Sequence, residues 1–521
     1  MQEFALTVDK FLDHAGKWFG SCEVVWAEGG AEQARFTYAE LRERANRLSG
    51  ALASLRFRQG ERLGTLAWNT RHHLETYYGV MGMGGVCHTL NPRLTPEQLA
   101  AMVAEAEDRI LAVSADLLPL AEKVRARCPV VQHIIALDGP SVEGMIDFEA
   151  LLADKGGPTE WGAFDENAAA GLCYTSGTTG QPKGVLYTHR SNYLHTLRAL
   201  QADATALTAR DCLLLAVPMF HANGWGLPFA APAAGTKLVL PGRTLDGASL
   251  ARLIREEGVT VAVGVQTVWL GLADYLDETG GDLPTLERVL IGGSSCPEAL
   301  IERLETRLGA RVQTSWGMTE LSPIGTISPA GEPAVPGAAG RAPIGVDLKL
   351  TDAAGVTLPD QRDSLGHLKV KGASVLTRYF KADSDALDVE GYFETGDLAT
   401  IDAAGNLTIR GRAKDLIKSG GEWINPAEIE TIVGAHPSVR HVAVIARPDP
   451  KWGERPLLVV ERGEASETSA LLDLLRGKVA DWWIPREVAE VAAMPLAATG
   501  KIDKARLRAD YADGTLVAEP A

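Results

Sequence analysis

The pattern of apolar and polar residues near the N-terminus predicts an amphipathic helix over residues 37–57. Thr37 and Glu40 have the spacing of a capping box, in which each side chain bonds the other residue's backbone N–H. The apolar residues that follow recur at helical spacing and form one stripe, made of Leu41, Ala45, Leu48, Leu52 and Leu55. We therefore expect this helix to pack one face against a core.

Further along the chain, short apolar runs alternate with helical patterns. The apolar runs are typical of buried strands and occur at 212–217, 259–263 and 288–291. The helical patterns between and after them include 248–257 and 297–308. This alternation predicts an α/β protein whose layers are built on parallel strands.

The pattern changes near residue 411, where a strand-rich stretch with a turn at 402–405 gives way to a more compact arrangement. The elements predicted there are a helix, two strands, a longer helix and a short strand, at 426–434, 439–446, 457–462, 467–482 and 487–491. Trp482 and Trp483 are expected to anchor the end of the longer helix by packing. The predicted organisation is an N-terminal domain, a hinge and a small mobile α+β lid domain, at 1–411, 412–414 and 415–521.

Composition narrows the class of protein. The chain has 521 residues, so more than one domain is expected. Hydrophobic residues make up 46% and charged residues 23%, which is normal for a soluble globular protein. The net charge of −16 argues against a nucleic-acid partner, which usually requires a basic surface, but it does not exclude a local phosphate site.

Cysteine usage and the chain ends indicate a cytoplasmic protein. The six cysteines are scattered and never form C-x-x-C, so we expect buried free thiols in a reducing compartment. No apolar run approaches 18 residues, so no membrane span is expected. The N-terminal segment contains acidic residues and lacks a long apolar core, which argues against a secretory signal.

The strongest chemical signal is the loop CYTSGTTGQPKG at residues 173–184. Its glycines let backbone N–H groups approach a phosphate and form an anion-binding nest, while the hydroxyls and Lys183 add donors and positive charge. It is not a Walker A loop, because Gly184 stands where that motif needs Ser or Thr. The sequence therefore predicts a polyphosphate site formed by Thr175, Ser176, Gly177, Thr178, Thr179, Gly180 and Lys183.

Five further segments follow in order: PMFHANGWGLPF, SWGMTE, YFETGD, GRAKDLIKSGGEWINP and PLAATGKIDK. Together with the loop at 173–184, they resemble the adenylate-forming superfamily of acyl-CoA synthetases, luciferases and peptide-synthetase adenylation domains. Segments at 88–99, 220–229 and 418–424 are most similar to the fatty-acyl-CoA synthetase branch. The resemblance covers essentially the whole chain. It implies a large adenylation domain of layered α/β subdomains followed by a small mobile α+β domain.

The resemblance implies ATP-dependent activation of a carboxylic acid, with Mg²⁺ as the metal and coenzyme A as the acceptor. The acid would form an acyl-AMP and then an acyl-CoA, and we expect a medium-chain or compact hydrophobic acid. This chemistry suits the motifs, because a carboxylate is already ionised near neutral pH and needs no general base. It needs an adjacent α-phosphate and charge neutralisation.

The resemblance assigns catalysis to three residues. Lys501 would bridge the carboxylate and the α-phosphate as negative charge develops, Thr319 would donate toward that phosphate, and Glu320 would hold Mg²⁺. Trp316 stands where the family usually has a tyrosine against the adenine, and Asp397 would accept both ribose hydroxyls. Further ATP contacts are expected from Gly293, Ser294, Gly317 and Arg412.

The acyl pocket and the CoA tunnel are also implied by the resemblance. Trp225 resembles an aromatic gate to the acyl pocket, and Gln266 replaces the usual proline, so we expect it to meet a polar group on the substrate. Lys414 matches the hinge position. The acyl-pocket positions are His221, Trp225, Gln266 and Gly292. The positions along the pantetheine tunnel are Lys418, Gly420, Gly421 and Trp423.

Two alternatives stay open from the sequence. An adenylate-forming ligase could transfer the acyl group to an amine or amino acid, and Gln266 and the short stretch 328–345 leave room for this. A non-catalytic nucleotide- or acyl-binding protein could share the fold, although Glu320 and Lys501 argue against it. A homodimer is also left open.

Overall fold

A computed structural model describes residues 1–28, 32–175, 182–293, 296–420, 422–436, 438–462, 468–497 and 502–520. The α-helices in these segments are α1 (Asp9–Trp18), α2 (Tyr38–Ser54), α3 (Arg71–Gly82), α4 (Pro96–Ala106), α5 (Leu118–Arg127), α6 (Phe148–Lys155), α7 (His189–Ala199), α8 (Leu227–Ala234), α9 (Gly247–Glu257), α10 (Gln266–Thr279), α11 (Glu298–Leu308), α12 (Pro426–Gly434), α13 (Thr468–Asp473) and α14 (Lys504–Ala512). Short 3₁₀ helices lie at Ala115–Leu117, Ala222–Gly226, Thr319–Leu321, Ala413–Asp415 and Asp481–Trp483.

The strands of the same segments are β1 (Glu23–Glu28), β2 (Glu32–Thr37), β3 (Arg62–Leu66), β4 (Val86–Thr89), β5 (Ile110–Val113), β6 (His133–Ala136), β7 (Ile146–Asp147), β8 (Ala169–Thr175), β9 (Lys183–Thr188), β10 (Cys212–Leu215), β11 (Lys237–Leu240), β12 (Val261–Val265), β13 (Arg288–Gly292), β14 (Arg311–Gly317), β15 (Ile324–Ile327), β16 (Val346–Thr351), β17 (Gly366–Gly372), β18 (Phe393–Ile401), β19 (Leu407–Arg412), β20 (Ile417–Ser419), β21 (Glu422–Ile424), β22 (Val439–Asp449), β23 (Gly453–Arg462), β24 (Glu487–Glu490) and β25 (Glu519–Pro520).

Two large sheets carry most of the chain. One has the strand order β7-β6-β5-β3-β4-β8-β9 and the other β15-β14-β13-β12-β10-β11-β1-β2. Their inner strands are parallel, as the sequence predicted. Among the described residues, antiparallel pairing in these two sheets is limited to the outermost strand pairs β8/β9, β1/β2 and β14/β15. The α/β class is therefore confirmed. In each sheet, the parallel strands all end on the same side, so residues that follow their carboxyl ends lie near one another.

Helix α2 shows why the local sequence folds as expected. Thr37 Oγ1 accepts from the Glu40 backbone N–H, and the Glu40 carboxylate accepts from the Thr37 backbone N–H, which completes the predicted capping box. Four of the five stripe residues are buried within the helix: Leu41, Ala45, Leu48 and Leu52. The helix ends at Ser54, three residues before the predicted end.

A smaller antiparallel sheet, β16-β17-β18-β19, follows the two large ones. The predicted turn at its last hairpin is present, because the Gly405 N–H donates to the Asp402 carbonyl and the Asn406 N–H donates to the Asp402 carboxylate. The register of this hairpin places Asp397 on β18 opposite Arg412 on β19. The turn therefore brings two predicted site residues side by side.

The last sheet has the order β21-β20-β23-β24-β25, with β22 paired to β23. The helix predicted at 467–482 is wrong in length, because α13 ends at Asp473. Gly477, at φ +70°, lies in the backbone turns that replace the rest of the helix. Trp482 and Trp483 therefore lie in a separate 3₁₀ helix; Trp483 packs partly buried on the core, and Trp482 is 39% exposed.

Two further expectations concern exposure and membranes. Over the described part of the chain, all six cysteines are free; five are buried and Cys22 is half-buried. No described helix is long and apolar enough to cross a membrane.

Candidate active site

The predicted phosphate loop joins the two strands of an antiparallel hairpin. Thr175 at the end of β8 pairs with Lys183 at the start of β9. Five predicted loop residues fall outside the described part of the chain: Ser176, Gly177, Thr178, Thr179 and Gly180. At the start of β9, the Phe380 N–H donates to the Gly184 carbonyl, which brings the segment at 379–380 next to the hairpin.

Glu320 and Lys183 lie on either side of one tyrosine. Glu320 is in the 3₁₀ helix that follows β14, and only 7% of it is exposed. The Tyr379 hydroxyl donates to Glu320 Oε1 at 2.9 Å, and Lys183 Nζ lies 5.0 Å from the centre of the Tyr379 ring. The hairpin and the 3₁₀ helix thus bring a cation and a buried carboxylate into one cluster.

The charge state of Glu320 depends on this cluster. Burial raises the pKa of Glu320, whereas the hydrogen bond from Tyr379 and the charges of Arg412 and Lys183 lower it in part. A buried carboxylate with incomplete compensation is stabilised by a bound cation. Over the described residues, no group of three or more His, Cys, Asp or Glu side chains could hold a metal ion. One carboxylate together with substrate phosphates is a usual Mg²⁺ environment, so Glu320 fits that ion.

Asp397 forms a second cluster with Trp316 and Arg412. Asp397 is 3% exposed. Its Oδ2 accepts from Trp316 Nε1 at 3.0 Å, and its Oδ1 lies 2.9 Å from Arg412 Nε. Arg412 also donates to the Thr395 carbonyl at 3.0 Å, which fixes its guanidinium. Because each carboxylate oxygen has more than one lone pair, Asp397 keeps the capacity to accept from a diol.

The indole of Trp316 is buried, and it lies between the phosphate-loop hairpin and Asp397. It belongs to a buried cluster with Cys173, Tyr187 and Leu321, and its N–H faces Asp397. Next to it, Gly317 ends β14, and the Thr319 carbonyl accepts from the Tyr187 hydroxyl at 2.8 Å. The phosphate-loop hairpin and the end of β14 are therefore packed directly together.

Two predicted acyl-pocket positions, Trp225 and Gly292, are in close contact. A Cβ at Gly292 would lie 2.7 Å from Trp225 Cη2 and 2.7 Å from Ser315 Oγ, so the indole lies directly on the end of β13. Gly293 follows at φ +87°, and Ser294 is outside the described residues. Only glycine at position 292 leaves room for this indole.

The backbone around Trp225 is unusual. Residues 222–226 form a left-handed turn, in which Ala222, Asn223 and Trp225 have φ of 43°, 53° and 58°. A left-handed conformation costs about 1–2 kcal/mol per non-glycine residue, so the surrounding structure must hold the turn. Asn69 fixes the chain just before the turn, since its side chain bonds the backbone of Leu215, Val217 and Met219.

The other two predicted acyl-pocket positions, His221 and Gln266, are partly exposed. His221 precedes the turn and is half-buried. Gln266 is the first residue of α10 and is also half-buried. The expectation that Gln266 contacts a substrate polar group therefore stays a prediction.

The predicted CoA positions form a separate group on the hairpin β20–β21. Lys418 pairs with Trp423 across the hairpin, with Lys418 Nζ 5.6 Å from the Trp423 ring, and Trp423 is 53% exposed. Gly420 has φ +62°, and a Cβ there would lie 2.7 Å from the Trp452 indole. Lys414 lies exposed in the 3₁₀ helix before β20. Gly421 and Lys501 are outside the described residues.

Sequence reasoning missed two residues that the structure places in these groups. Tyr379 connects Glu320 with Lys183, and Trp452 covers Gly420. Neither lies in a segment that carried the resemblance, and an isolated aromatic gives no spacing signal. Their contacts can be recognised only from the fold, which brings distant parts of the chain together.

Comparisons with known proteins agree with this geometry. The profile of the AMP-binding enzyme family matches residues 13–380, and the profile of its C-terminal domain matches residues 428–501. The chain is 42% identical to the 3-methylmercaptopropionyl-CoA ligase of Ruegeria lacuscaerulensis, covering 98% of each chain. It is 41% identical to the medium-chain-fatty-acid–CoA ligase of Ectopseudomonas oleovorans, covering 98% of this chain and 97% of that one.

A solved structure gives the same answer for the fold. ATP-bound MatB from Rhodopseudomonas palustris superposes with a TM-score of 0.88 at 26% identity, over 98% of this chain and 99% of that chain. The match spans both the large α/β part and the small C-terminal part. Taken with the matched family profiles, it shows that the chain belongs to the AMP-binding enzyme family.

Proposed function

We propose that this enzyme is an ATP-dependent carboxylic acid–CoA ligase. In the first step a carboxylate oxygen attacks the α-phosphorus of ATP, and pyrophosphate leaves to give an acyl-AMP. In the second step the thiol sulfur of coenzyme A attacks the acyl carbon, AMP leaves and the thiol proton passes to solvent. The proposal is carried by the buried Glu320, which lies beside Tyr379, Lys183 and Arg412. This cluster combines a carboxylate suited to bind Mg²⁺ with cations suited to bind phosphates.

The nucleotide lies, in this proposal, across the two buried clusters. Asp397 accepts the ribose hydroxyls with its remaining lone pairs, while Trp316 and Arg412 hold its carboxylate in place. Lys183 faces the phosphates from the start of β9. Glu320 holds Mg²⁺, which when bound neutralises charge on the phosphates.

The acid reaches the α-phosphate through the region of Trp225. The chain needs no base for the first step, since the carboxylate arrives ionised. Lys501 from the C-terminal domain completes the first-step site, and its ammonium stabilises charge that develops between the two reacting groups. For the second step, Gly420 and Trp423 on hairpin β20–β21 border the path of the pantetheine arm.

The acid is proposed to be compact and hydrophobic, or of medium chain length. The indole of Trp225, packed on Gly292, supplies a flat apolar wall. The names of two relatives, a 3-methylmercaptopropionyl-CoA ligase and a medium-chain-fatty-acid–CoA ligase, support this range. The free cysteines without C-x-x-C support a reducing, cytoplasmic setting. Gel filtration of the purified enzyme distinguishes a monomer from a homodimer.

The test is pyrophosphate release with Mg-ATP over a panel of short, medium and long acids. Each acid is run with CoA, with an amine, and with neither. Turnover that requires CoA and is fastest for short or medium acids is expected. Turnover with an amine alone would replace the proposal by amide synthesis, and no release with any acid would leave a binding protein.

A variant tests the substrate contact given to Gln266. Gln266→Pro restores the residue usual in this branch, and we expect a changed preference among acids with polar groups. Gln313→Leu is not a useful control, because that side chain bonds the backbone of Ala204 and Ser328 in the core. Gln98→Ala, on an exposed helix start, is the matched control and leaves the preference unchanged. An unchanged preference in Gln266→Pro would remove Gln266 from the pocket.

A further inference from the structure

Helix α14 carries two cationic side chains on one face, each paired with a carboxylate on another element. Lys504 and Arg508 are four residues apart and therefore share a helix face. Lys504 Nζ lies 2.7 Å from Glu430 Oε1 on α12. Arg508 Nη2 lies 2.6 Å from Asp415 Oδ1, in the 3₁₀ helix that begins just after β19. The same face of α14 is thus attached to α12 and to the chain directly after the hinge position.

Glu430 makes the first attachment a junction of three elements. Its Oε1 accepts from the Val444 backbone N–H on β22 at 2.6 Å, in addition to the contact with Lys504. Burial raises the pKa of Glu430 above its usual value, and the charge of Lys504 and its hydrogen bond offset this rise only in part. Charge-assisted hydrogen bonds of this kind are stronger than neutral ones, so α12, β22 and α14 are held in one arrangement.

The start of α14 is fixed to the chain that precedes it. Leu496 and Ile502 pair as an antiparallel bridge, and the Asp503 N–H donates to the Pro495 carbonyl at 2.8 Å. Asp503 also caps α14, since its carboxylate accepts from the Arg506 N–H at 3.0 Å. Ile502 follows Lys501 directly in the sequence. The position of α14 therefore also fixes Ile502, the described residue next to Lys501 in the sequence.

We propose that Asp415 and Glu430 are positioning residues for the first step. Through Arg508 and Lys504 they fix α14, and with it Ile502, the sequence neighbour of Lys501, relative to Lys414 at the predicted hinge. The proposal rests on the role of Lys501 in the proposed function. A displacement of about 1 Å in a reacting group can cost about 100-fold in rate, so a loosened α14 slows the first step.

The hairpin that serves the second step is held independently of α14. On β20, Ser419 pairs with Gly453, and the Lys418 N–H donates to the Glu454 carboxylate at 2.9 Å. The Gly420 N–H donates to the Trp452 carbonyl at 2.8 Å. Because these contacts go to β23 and the turn before it, loss of an α14 contact leaves the hairpin in place. The two steps should respond differently to the same variant.

The experiment measures the two steps separately in the full-length enzyme. Pyrophosphate release in a single turnover without CoA reports the first step, with the best acid of the panel described above. Thioester formation from the synthetic adenylate of that acid and CoA reports the second. Arg508→Gln is expected to slow the first step about 10- to 100-fold and to change the second by about twofold or less. Asp415→Asn, which keeps the shape of the side chain, is expected to act in the same direction.

Arg506→Gln is the matched control on the same helix. Arg506 pairs at 2.6 Å with Asp510 within α14 itself and is 66% exposed, so its loss leaves α14 attached to α12 and to Asp415. Both steps are expected to stay unchanged in this variant. A double variant that exchanges the two charges, Asp415→Arg with Arg508→Asp, is expected to recover part of the first-step rate that either single substitution loses. Thermal unfolding of every variant shows whether the whole fold has been weakened.

Three results would overturn the proposal. They are an unchanged first step in Arg508→Gln and Asp415→Asn, an equal loss in both steps, or the same loss in Arg506→Gln. A wild-type enzyme that releases no pyrophosphate with any acid would overturn the proposed function itself. The two failures are thus told apart by the wild-type enzyme.

Discussion

The two buried clusters around Glu320 and Asp397 differ most from the hairpin β20–β21 in their exposure to water. Asp397 and Glu320 are 3% and 7% exposed, whereas Trp423 on β20–β21 is 53% exposed. Fixed charges in a buried site act through a low effective dielectric, so their interactions are strong before any ligand arrives. An exposed indole gains little until another surface covers it. In the proposed function, the first step therefore depends on built-in electrostatics and the second on a contact completed by the substrate.

The two regions also differ in how their side chains are held. Each oxygen of Asp397 already has a protein partner, and Glu320 Oε1 accepts from Tyr379. The Lys418 and Trp423 side chains lie against each other across a short hairpin, and more than half of Trp423 is exposed. We therefore expect substitutions in the first region to change KM for ATP or the rate of the first step. Substitutions in the second region are expected to change only KM for CoA and the second step.

The largest effect is expected for Glu320→Gln. The amide keeps the shape and can still accept from Tyr379, but it removes the negative charge that suits Mg²⁺. First-step pyrophosphate release is expected to fall by about 10²- to 10³-fold, as for loss of other electrostatic groups in active sites. Glu302→Gln, on the exposed side of α11, is the control and keeps full activity. A loss smaller than about threefold would show that Glu320 does not serve the first step.

A smaller effect is expected for Asp397→Asn. Trp316 Nε1 and Arg412 Nε are both donors, so one of them would face the new amide NH₂ and the cluster would lose a charged hydrogen bond. A hydrogen bond to a charged group contributes about 1.5–3 kcal/mol, which predicts an increase of about 10- to 100-fold in KM for ATP. Initial rates over an ATP series measure this.

Trp316→Phe tests whether the Asp397 cluster acts as a unit. It removes one donor, so the double variant with Asp397→Asn should lose less than the sum of the two single effects. Strict additivity would mean that the indole N–H does not orient Asp397. An unchanged KM for ATP in Asp397→Asn would place the ribose elsewhere.

The exposed region is tested by Trp423→Ala. Loss of one aromatic contact is worth about 0.5–1.5 kcal/mol, so KM for CoA should rise by about 2- to 10-fold while pyrophosphate release without CoA is unchanged. Trp18→Ala, an exposed tryptophan at the end of α1, is the matched control and leaves KM for CoA unchanged. An equal loss in both steps would remove the distinction between the two regions.

The sequence predicted the fold best where the local signal was strong. The capping box at Thr37 and Glu40, the parallel strands β10, β12 and β13, and α12 all formed close to their predicted places. The helix at 467–482 was overextended, because apolar spacing does not show where backbone turns replace a helix. Gly477 was the only local sign of that break.

In the candidate site, the sequence predicted which residues take part better than it predicted the contacts between them. Asp397 and Arg412 were expected near one ligand, and the hairpin register explains their contact. The Trp316 N–H on Asp397 and the Tyr379 hydroxyl on Glu320 depend on packing between distant segments. The left-handed turn around Trp225 also could not be predicted, because three of its residues are not glycine.

The smallest effect is expected for Tyr379→Phe, and it concerns pH. The ionised form of Glu320 serves the first step, so kcat/KM falls as the pH drops through its pKa, which burial raises above the usual value. The Tyr379 hydroxyl stabilises the ionised form and lowers that pKa, so its removal should move the acid limb of the profile to higher pH. Tyr392→Phe is the matched control, because its hydroxyl donates to Asp347 instead. A limb that stays in place, or moves equally in both variants, would mean that the hydroxyl of Tyr379 does not control the charge of Glu320.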